Sequence, residues 1–307
     1  MEIRELRPED AEGAAELLQP LQPSAVTTVR LLLFRQAHSH PDARKQSWVA
    51  LDGGAVVGFA SAELRLFGSN AGNGHVWVGV RADMRRRGIG TALAEAGERH
   101  LLDHGASVLE TRVERDSEGA RFAAARGYDE RVEAEVISML AVEKARLDEF
   151  DALAEAKAAE GFRLAPLREV REREEELFGV YVKAGAYDGP ARVTIDDWRR
   201  DVVANPELEL DGSAVVVAGG EEIAALSFLV VDGGRRRAEN EYTATLPELR
   251  GRRLALLAKL ATLRWARDTG IREVVTENAL ENQPMLMLNQ RLGYRPLHVR
   301  DDVVRRI

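Results

Sequence analysis

Apolar and polar positions alternate in two short runs near the start of the chain. Trp48-Val49-Ala50-Leu51 and Ala55-Val56-Val57-Gly58-Phe59-Ala60 flank Asp52-Gly53-Gly54. β-branched and aromatic residues around such a pair of glycines predict two strands joined by a hairpin turn. The arrangement returns later, with Ala214-Val215-Val216-Val217-Ala218 and Ile223-Ala224-Ala225-Leu226-Ser227-Phe228 around Gly219-Gly220. Further on, Ala92, Leu93, Ala96 and Leu101 recur at helical spacing, as do Leu256, Leu257, Leu260 and Leu263. Gly105 and Gly270 follow these stripes, where helices commonly stop. A strand is then expected over Ser107-Val108-Leu109-Glu110-Thr111, and another over Glu273-Val274-Val275-Thr276.

The parallel extends to the segments between strand and helix. Val78-Gly79-Val80-Arg81-Ala82-Asp83-Met84-Arg85-Arg86-Arg87-Gly88-Ile89-Gly90 resembles Thr243-Ala244-Thr245-Leu246-Pro247-Glu248-Leu249-Arg250-Gly251-Arg252-Arg253-Leu254-Ala255. A Gly-aromatic pair closes each copy, Gly127-Tyr128 and Gly293-Tyr294. Arg85 and Tyr128 are 43 positions apart and Arg250 and Tyr294 are 44 apart, so the spacing is kept to one residue. A fixed internal offset of this kind indicates a duplicated unit. Between the copies, Glu143 to Glu160 is rich in Ala, Glu, Lys and Leu without Pro or Gly, which predicts a connecting helix. The expected organisation is a domain over 1–142, a linker helix over 143–160 and a second domain over 161–307. Each domain is expected to be α/β, a mixed sheet with helices on its faces.

Composition narrows the functional classes. A length of 307 residues suits two ordinary domains, and 45% hydrophobic with 31% charged residues suits a soluble globular chain. No apolar run approaches the roughly 20 residues of a membrane span, and the N-terminus does not read as a signal peptide. The chain has no cysteine, which excludes disulfides, zinc-thiolate sites and a catalytic thiol and points to a reducing cytoplasm. A net charge of -8 argues against nucleic acid as partner and leans slightly towards a cationic acceptor such as an amine. His100 and His104 are spaced i, i+4 but lack the glutamate of His-Glu-x-x-His, and His38-Ser39-His40 stands beside Pro41, so no metal is expected.

The loop from Arg85 to Gly90 carries the chemistry. It follows a strand and opens a helix, whose free N–H groups and partial positive charge attract phosphate. Gly88 and Gly90 remove Cβ atoms that would hold a pyrophosphate off the backbone, Arg85, Arg86 and Arg87 add donors and charge, and Thr91 adds a hydroxyl. No Gly-x-x-x-x-Gly-Lys-Ser/Thr occurs, and no Gly-x-Gly-x-x-Gly follows the first strand, so neither a P-loop nor a Rossmann site is supported.

Arg85-x-x-Gly88-x-Gly90 between strand and helix resembles the acetyl-CoA motif of the GNAT superfamily of N-acetyltransferases, and the order of elements resembles that superfamily in both halves. The tandem layout is similar to that of two-domain bacterial members, mycothiol synthase among them. The resemblance implies two GNAT folds in tandem, each a mixed, mostly antiparallel sheet flanked by helices. It implies acetyl-CoA as cosubstrate, with its pyrophosphate on the amides around Arg86, Arg87, Gly88, Ile89, Gly90 and Thr91. It further implies a pantetheine arm along Val78 and Val80, an amide near Val80 polarising the thioester carbonyl, and a contact at Asp116. In the second copy the same roles fall on Thr243, Thr245, Arg250, Gly251, Arg252, Arg253, Leu254, Ala255, Asn278 and Asn282. There Arg253 replaces the first motif glycine and Ala255 the second.

Direct attack by an amine calls for a base, and the departing thiolate for an acid. The superfamily often uses a tyrosine four residues before the glycine of the Gly-aromatic pair, but those positions hold Ala123 and Asn289. The candidate bases are His75 and Glu63 in the first copy and Glu241 and Tyr242 in the second. Asn282 also reads as a helix N-cap, with Pro284 just inside the helix. Tyr187, Asp188 and Trp198 lie where the family builds its acceptor wall, or else pack the core. The reaction class expected is transfer of an acetyl group to an amine of a small molecule or peptide, by a monomer or homodimer. The alternatives are a non-catalytic CoA-binding or regulatory module, which the missing tyrosines motivate, and a scaffold that binds no CoA.

Overall fold

The computed structural model describes residues 1–184 and 193–307. In the first half β1 (Glu2–Glu5), α1 (Ala11–Leu21), α2 (Val29–Ala37), β2 (Gln46–Asp52), β3 (Ala55–Leu64), β4 (Gly74–Val80), α3 (Ile89–Asp103), β5 (Val108–Glu114) and α4 (Glu118–Ala125) follow in order. Their sheet runs β1-β2-β3-β4-β5, antiparallel except for the parallel pair β4–β5. Strand residues point alternately to the two faces. On one face Trp77 and Phe59 pack with Ala14, Leu17 and Leu18 of α1. On the other, Val76 packs with Leu93 and Leu101 of α3. Leu93 and Leu101 are 0% exposed, so each contributes roughly 2 kcal/mol by burial. The helices start on ordinary caps, with Thr28 Oγ1 accepting the Leu31 N–H and Ser117 Oγ accepting that of Ala120.

The second half begins with β6 (Glu130–Ala141) and α5 (Phe150–Ala159). Next come β7 (Phe162–Pro166), α6 (Leu167–Val170), α7 (Glu174–Lys183) and α8 (Ile195–Trp198), which runs into a π-helical stretch, Arg199–Val203. β8 (Leu208–Ala218), β9 (Ile223–Asp232), β10 (Arg237–Thr245), α9 (Leu254–Asp268), β11 (Glu273–Ala279), α10 (Gln283–Leu292) and β12 (Arg295–Arg306) complete it. The sheet runs β6-β11-β10-β9-β8-β7, again with one parallel pair, β10–β11. Leu256, Leu257, Leu260 and Leu263 of α9 cover one face, and Leu177, Val180 and Trp198 cover the other.

The chain divides into two compact units that do not follow chain order at their ends. The first holds Met1–Ala134 and Val299–Ile307; the second holds residues 135–184 and Val193–His298. Arg300–Arg306 of β12 pair antiparallel with Val108–Glu114 of β5, so the last strand completes the first sheet. Glu135–Ala141 of β6 pair with Glu273–Ala279 of β11 and complete the second. The sequence expectation of 1–142, 143–160 and 161–307 is contiguous and contains no such exchange. An alternating pattern fixes a strand's two faces but not its neighbour, and nothing in Arg295–Arg306 names β5. The helix expected over 143–160 is shorter, Phe150–Ala159, and its Leu153 belongs to the core of the second unit.

Ion pairs hold the exchanged strand within the first unit. Arg115 makes two hydrogen bonds to Asp301, at 2.6 and 2.9 Å. Glu98, buried in α3, accepts from Arg126 at 2.8 and 3.0 Å, from the Tyr128 hydroxyl at 3.1 Å and from Arg305 at 3.1 Å. Burial raises the Glu98 carboxyl, but the Arg126 and Arg305 guanidiniums and the Tyr128 hydroxyl outweigh it and hold it below the usual carboxylate range. The Gly-aromatic pair Gly127-Tyr128 therefore anchors a buried charge network as well as ending α4.

Candidate functional site

β4 and β5 pair at only two positions, Gly74↔Leu109 and His75↔Glu110, and then part. The Arg81 N–H bonds the Val57 carbonyl of β3 at 2.9 Å. N–H directions alternate along a strand, so those of Val78 and Val80, beyond the two paired positions, point away from β3 into the gap. Unpaired backbone groups lining a gap can take the amides of an extended ligand.

At the open end of the gap lies the Arg-rich loop. After a 3-10 turn over Ala82–Met84, Arg86 and Gly88 adopt left-handed backbone, with φ 61° and 80°. Gly88 is the N-cap of α3, and no side chain caps this end. The N–H groups of its first turn are left for an anion. Ile89 is 1% exposed and anchors the helix in the core, so it offers only its amide to a ligand. A Cβ at Gly90 would meet Val80 at 3.6 Å, an ordinary contact, and one at Gly88 would meet nothing. The need for glycine at 88 is thus one of backbone conformation. Thr91 is exposed beside them. Arg85 pairs with Glu118 at 2.9 Å and donates to the Val80 carbonyl at 3.2 Å. Arg87 donates to the Asp83 carbonyl, and Arg86 is 86% exposed with Glu118 at 3.8 Å. Among the described residues, Arg85 alone of these three guanidiniums is closely neutralised by a carboxylate.

The second copy repeats the loop with its residues exchanged. Gly251 (φ 79°) stands where Arg86 does, and Arg253 (φ 63°) stands where Gly88 does, as N-cap of α9. Two of its three cations are paired with carboxylates. Arg252 reaches Glu160 at 3.1 Å and lies over the Phe162 ring, and Arg253 bonds Glu149, which also accepts from Arg291 at 2.9 Å. Arg250 donates to the Ala184 carbonyl. Leu254 is buried and Ala255 opens the helix. β10 and β11 also part after three paired positions, and β10 carries a bulge between Asn240 and Tyr242. The Leu246 N–H bonds the Ala224 carbonyl, so the N–H groups of Thr243 and Thr245 face the gap. The Thr245 hydroxyl is buried without a hydrogen-bond partner among the described residues. Asn278 Oδ1 accepts from Asn289 Nδ2 at 2.6 Å, and Asn282 is the N-cap of α10.

His75 lies at the base of the first gap, opposite Glu63 on β3 and Glu110 on β5. Its Nε2 is shut off from solvent and has no hydrogen-bond partner among the described residues. Burial, then the charges of Arg65, Arg112, Lys45 and Arg300, push the imidazole well below its ordinary 6.5, so it is neutral at pH 7. Glu63 is committed to Lys45 at 2.6 Å. Burial raises its carboxyl, but Lys45 with Arg65 and Arg35 outweighs that and holds it low. Tyr242 donates to the Tyr181 carbonyl at 2.8 Å and packs on the Tyr181 ring. Glu241 is exposed.

Other expected positions divide in the same way. Asp116 has φ 64° but does not cap α4; Ser117, the next residue, does. Trp198 packs among Phe178 and Tyr181. Tyr187 and Asp188 lie outside the described residues. His100 and His104 bond backbone carbonyls, and no three His, Asp or Glu side chains gather as metal ligands among the described residues. No helix among them is long and apolar enough to cross a membrane.

Two groups escaped the sequence reading. Glu110, 0% exposed, accepts from Arg65 at 3.1 Å and from Asn70 at 2.8 Å, tying the β3–β4 loop to the base of the gap. Lys259, 1% exposed, bonds Asn240 at the bulge and lies 5.3 Å from the Tyr294 ring centre. Burial pulls its ammonium down from 10.5 to about 7. A lysine inside the leucine stripe of α9 was the available signal.

Residues 11–128 match the Acetyltransferase (GNAT) family. No curated protein sequence matches the chain. Among solved structures, it is similar to a tandem GNAT protein from the clavulanic acid biosynthesis pathway, at 22% identity and a TM-score of 0.74 over 99% of this chain and 98% of that one. It is also similar to a GCN5-related N-acetyltransferase from Sphaerobacter thermophilus, at 17% identity and a TM-score of 0.69 over 99% and 95%. Saccharomyces cerevisiae N-myristoyltransferase shares the fold at 12% identity and a TM-score of 0.61 over 99% and 78%. At these identities the likeness is one of fold.

Proposed function

We propose that this chain, whose residues 11–128 match the Acetyltransferase (GNAT) family and whose fold is similar to that of a tandem GNAT protein, is an N-acyltransferase that moves an acetyl group from acetyl-CoA to an amine of a small molecule or peptide. The observation that carries this reading is the first unit's gap, with the Val78 and Val80 amides facing it and an uncapped helix start at Gly88 above it. A pantetheine arm has the amides to bond the strand, and a pyrophosphate has the charge to meet Arg85, Arg86, Arg87 and the amides from Ile89 to Thr91.

Acetyl-CoA, when bound, supplies an activated acyl carbon and a good leaving group. The Val80 N–H is aimed where it would polarise a thioester carbonyl. His75, neutral at pH 7, is the base in this reading: its ring nitrogen, sealed from solvent in the free chain, takes the proton of an attacking neutral amine once the entering acceptor uncovers it. Glu63 is the weaker choice, because Lys45 holds it ionised and occupied. With Ala123 where a tyrosine would stand, the leaving thiolate takes its proton from solvent. The second unit serves as support, two of its three cradle cations being engaged by Glu149 and Glu160.

A second reading, a CoA-binding module without turnover, is favoured by the same two positions, Ala123 and Asn289. Release of free thiol from acetyl-CoA in the presence of a panel of amines separates the two. Amine-dependent release that falls at least about tenfold in His75→Ala supports the enzyme. CoA binding with no release from any amine supports the module.

A further inference from the structure

The second unit contains a cavity of about 110 Å³ between its sheet and the helices α6 to α8, away from the gap between β10 and β11. Leu177, Val202, Leu208 and Phe228 give it apolar walls. Trp198 lines it too; this residue is 2% exposed and its indole N–H has no hydrogen-bond partner among the described residues. A buried donor left unsatisfied is destabilising, so this one favours a ligand that brings an acceptor. Val202 belongs to the π-helical stretch Arg199–Val203, a local departure from α-helix that often accompanies a binding site.

A buried water wants two to four polar partners. The other polar residues lining the cavity are Arg171, which offers only donors, and Asn205, whose Oδ1 already accepts the Glu207 N–H at 2.9 Å, so neither supplies an acceptor to the Trp198 N–H. A dry apolar cavity of about 150 Å³ accepts benzene, so the space here matches one small ring. We propose that this cavity binds a small neutral molecule with an apolar body of about one six-membered ring and a single acceptor that takes the Trp198 N–H. The inference is independent of the acyltransferase reading, since it uses neither gap nor cradle.

The chain has four tryptophans, so its ¹H–¹⁵N spectrum has four indole signals, and Trp198→Phe identifies one. Cyclohexanone and benzene serve as probes on the full chain. The expected result is that the Trp198 signal moves saturably with cyclohexanone in the wild type. In Trp198→Phe, cyclohexanone binds about fivefold more weakly, the loss of one net hydrogen bond, while benzene binding is unchanged. Three results would overturn the proposal: no movement of that signal at any cyclohexanone concentration, equal ketone affinity in the variant, or a signal that exchanges with trapped water while both probes are excluded.

Discussion

Gly88 and Arg253 occupy one and the same position of a repeated loop. Each is the left-handed residue that caps the helix after the Arg-rich turn, at φ 80° and 63°. The loop has a second left-handed position, held by Arg86 in one copy and Gly251 in the other. Duplication has kept the backbone path and moved the glycine. What differs is access: around Gly88 lie an open cradle and an exposed Arg86, while around Arg253 lies Glu149.

This separates two glycines that a motif treats alike. Gly88→Ala is expected to lower stability by about 1 kcal/mol through backbone strain alone, because a Cβ there meets no atom. Gly90→Ala is helical and uncrowded, and should be neutral or stabilising by up to about 1 kcal/mol. Urea unfolding of both variants checks the contrast; equal effects would contradict it.

Removing residues 299–307 takes away the strand that pairs with β5 and the Arg305 partner of Glu98. Hydrogen exchange should then show lost protection in Val108–Glu114, with protection kept across β8 and β9 of the second unit. Glu98→Ala leaves Arg126 and the Tyr128 hydroxyl unpaired at a buried site and should cost roughly 3–5 kcal/mol.

The low imidazole value of His75 has a sign. Folding disfavours its protonated form, so its contribution is whole above about 6.5 and is lost as pH falls through the folded value. A pH–stability curve of His75→Gln should therefore fall less steeply below pH 6 than the wild type. The acid limb of the rate profile should lie below 6.5.

Lys259 acts in another window. The unfolded chain binds its proton below about 10 and the folded chain does so only near 7, so stability should rise with pH between these values. The full difference is on the order of 5 kcal/mol. Lys259→Met should remove the rise, measured by denaturant unfolding at pH 7 and pH 9.

Much of the fold was legible because it was written twice. The hairpins, the helices after each Arg-rich loop and the Gly-aromatic closures all follow from local periodicity and punctuation. The strand exchange was not, since Arg300–Arg306 alternates equally well against any edge. The Arg-rich loop was legible as a candidate cradle because phosphate chemistry resides in a contiguous loop. Glu110 and Lys259 were not, because their meaning comes from partners 45 and 19 residues away, Arg65 and Asn240.

The most direct test of the account is calorimetric titration of acetyl-CoA into the intact chain and into Gly88→Glu and Arg253→Glu. A glutamate at either position sets bulk and like charge against a pyrophosphate. The account predicts one site per chain, abolished by Gly88→Glu and retained in Arg253→Glu. Binding that survives Gly88→Glu, or a folded wild-type chain that takes up no acetyl-CoA, would contradict it.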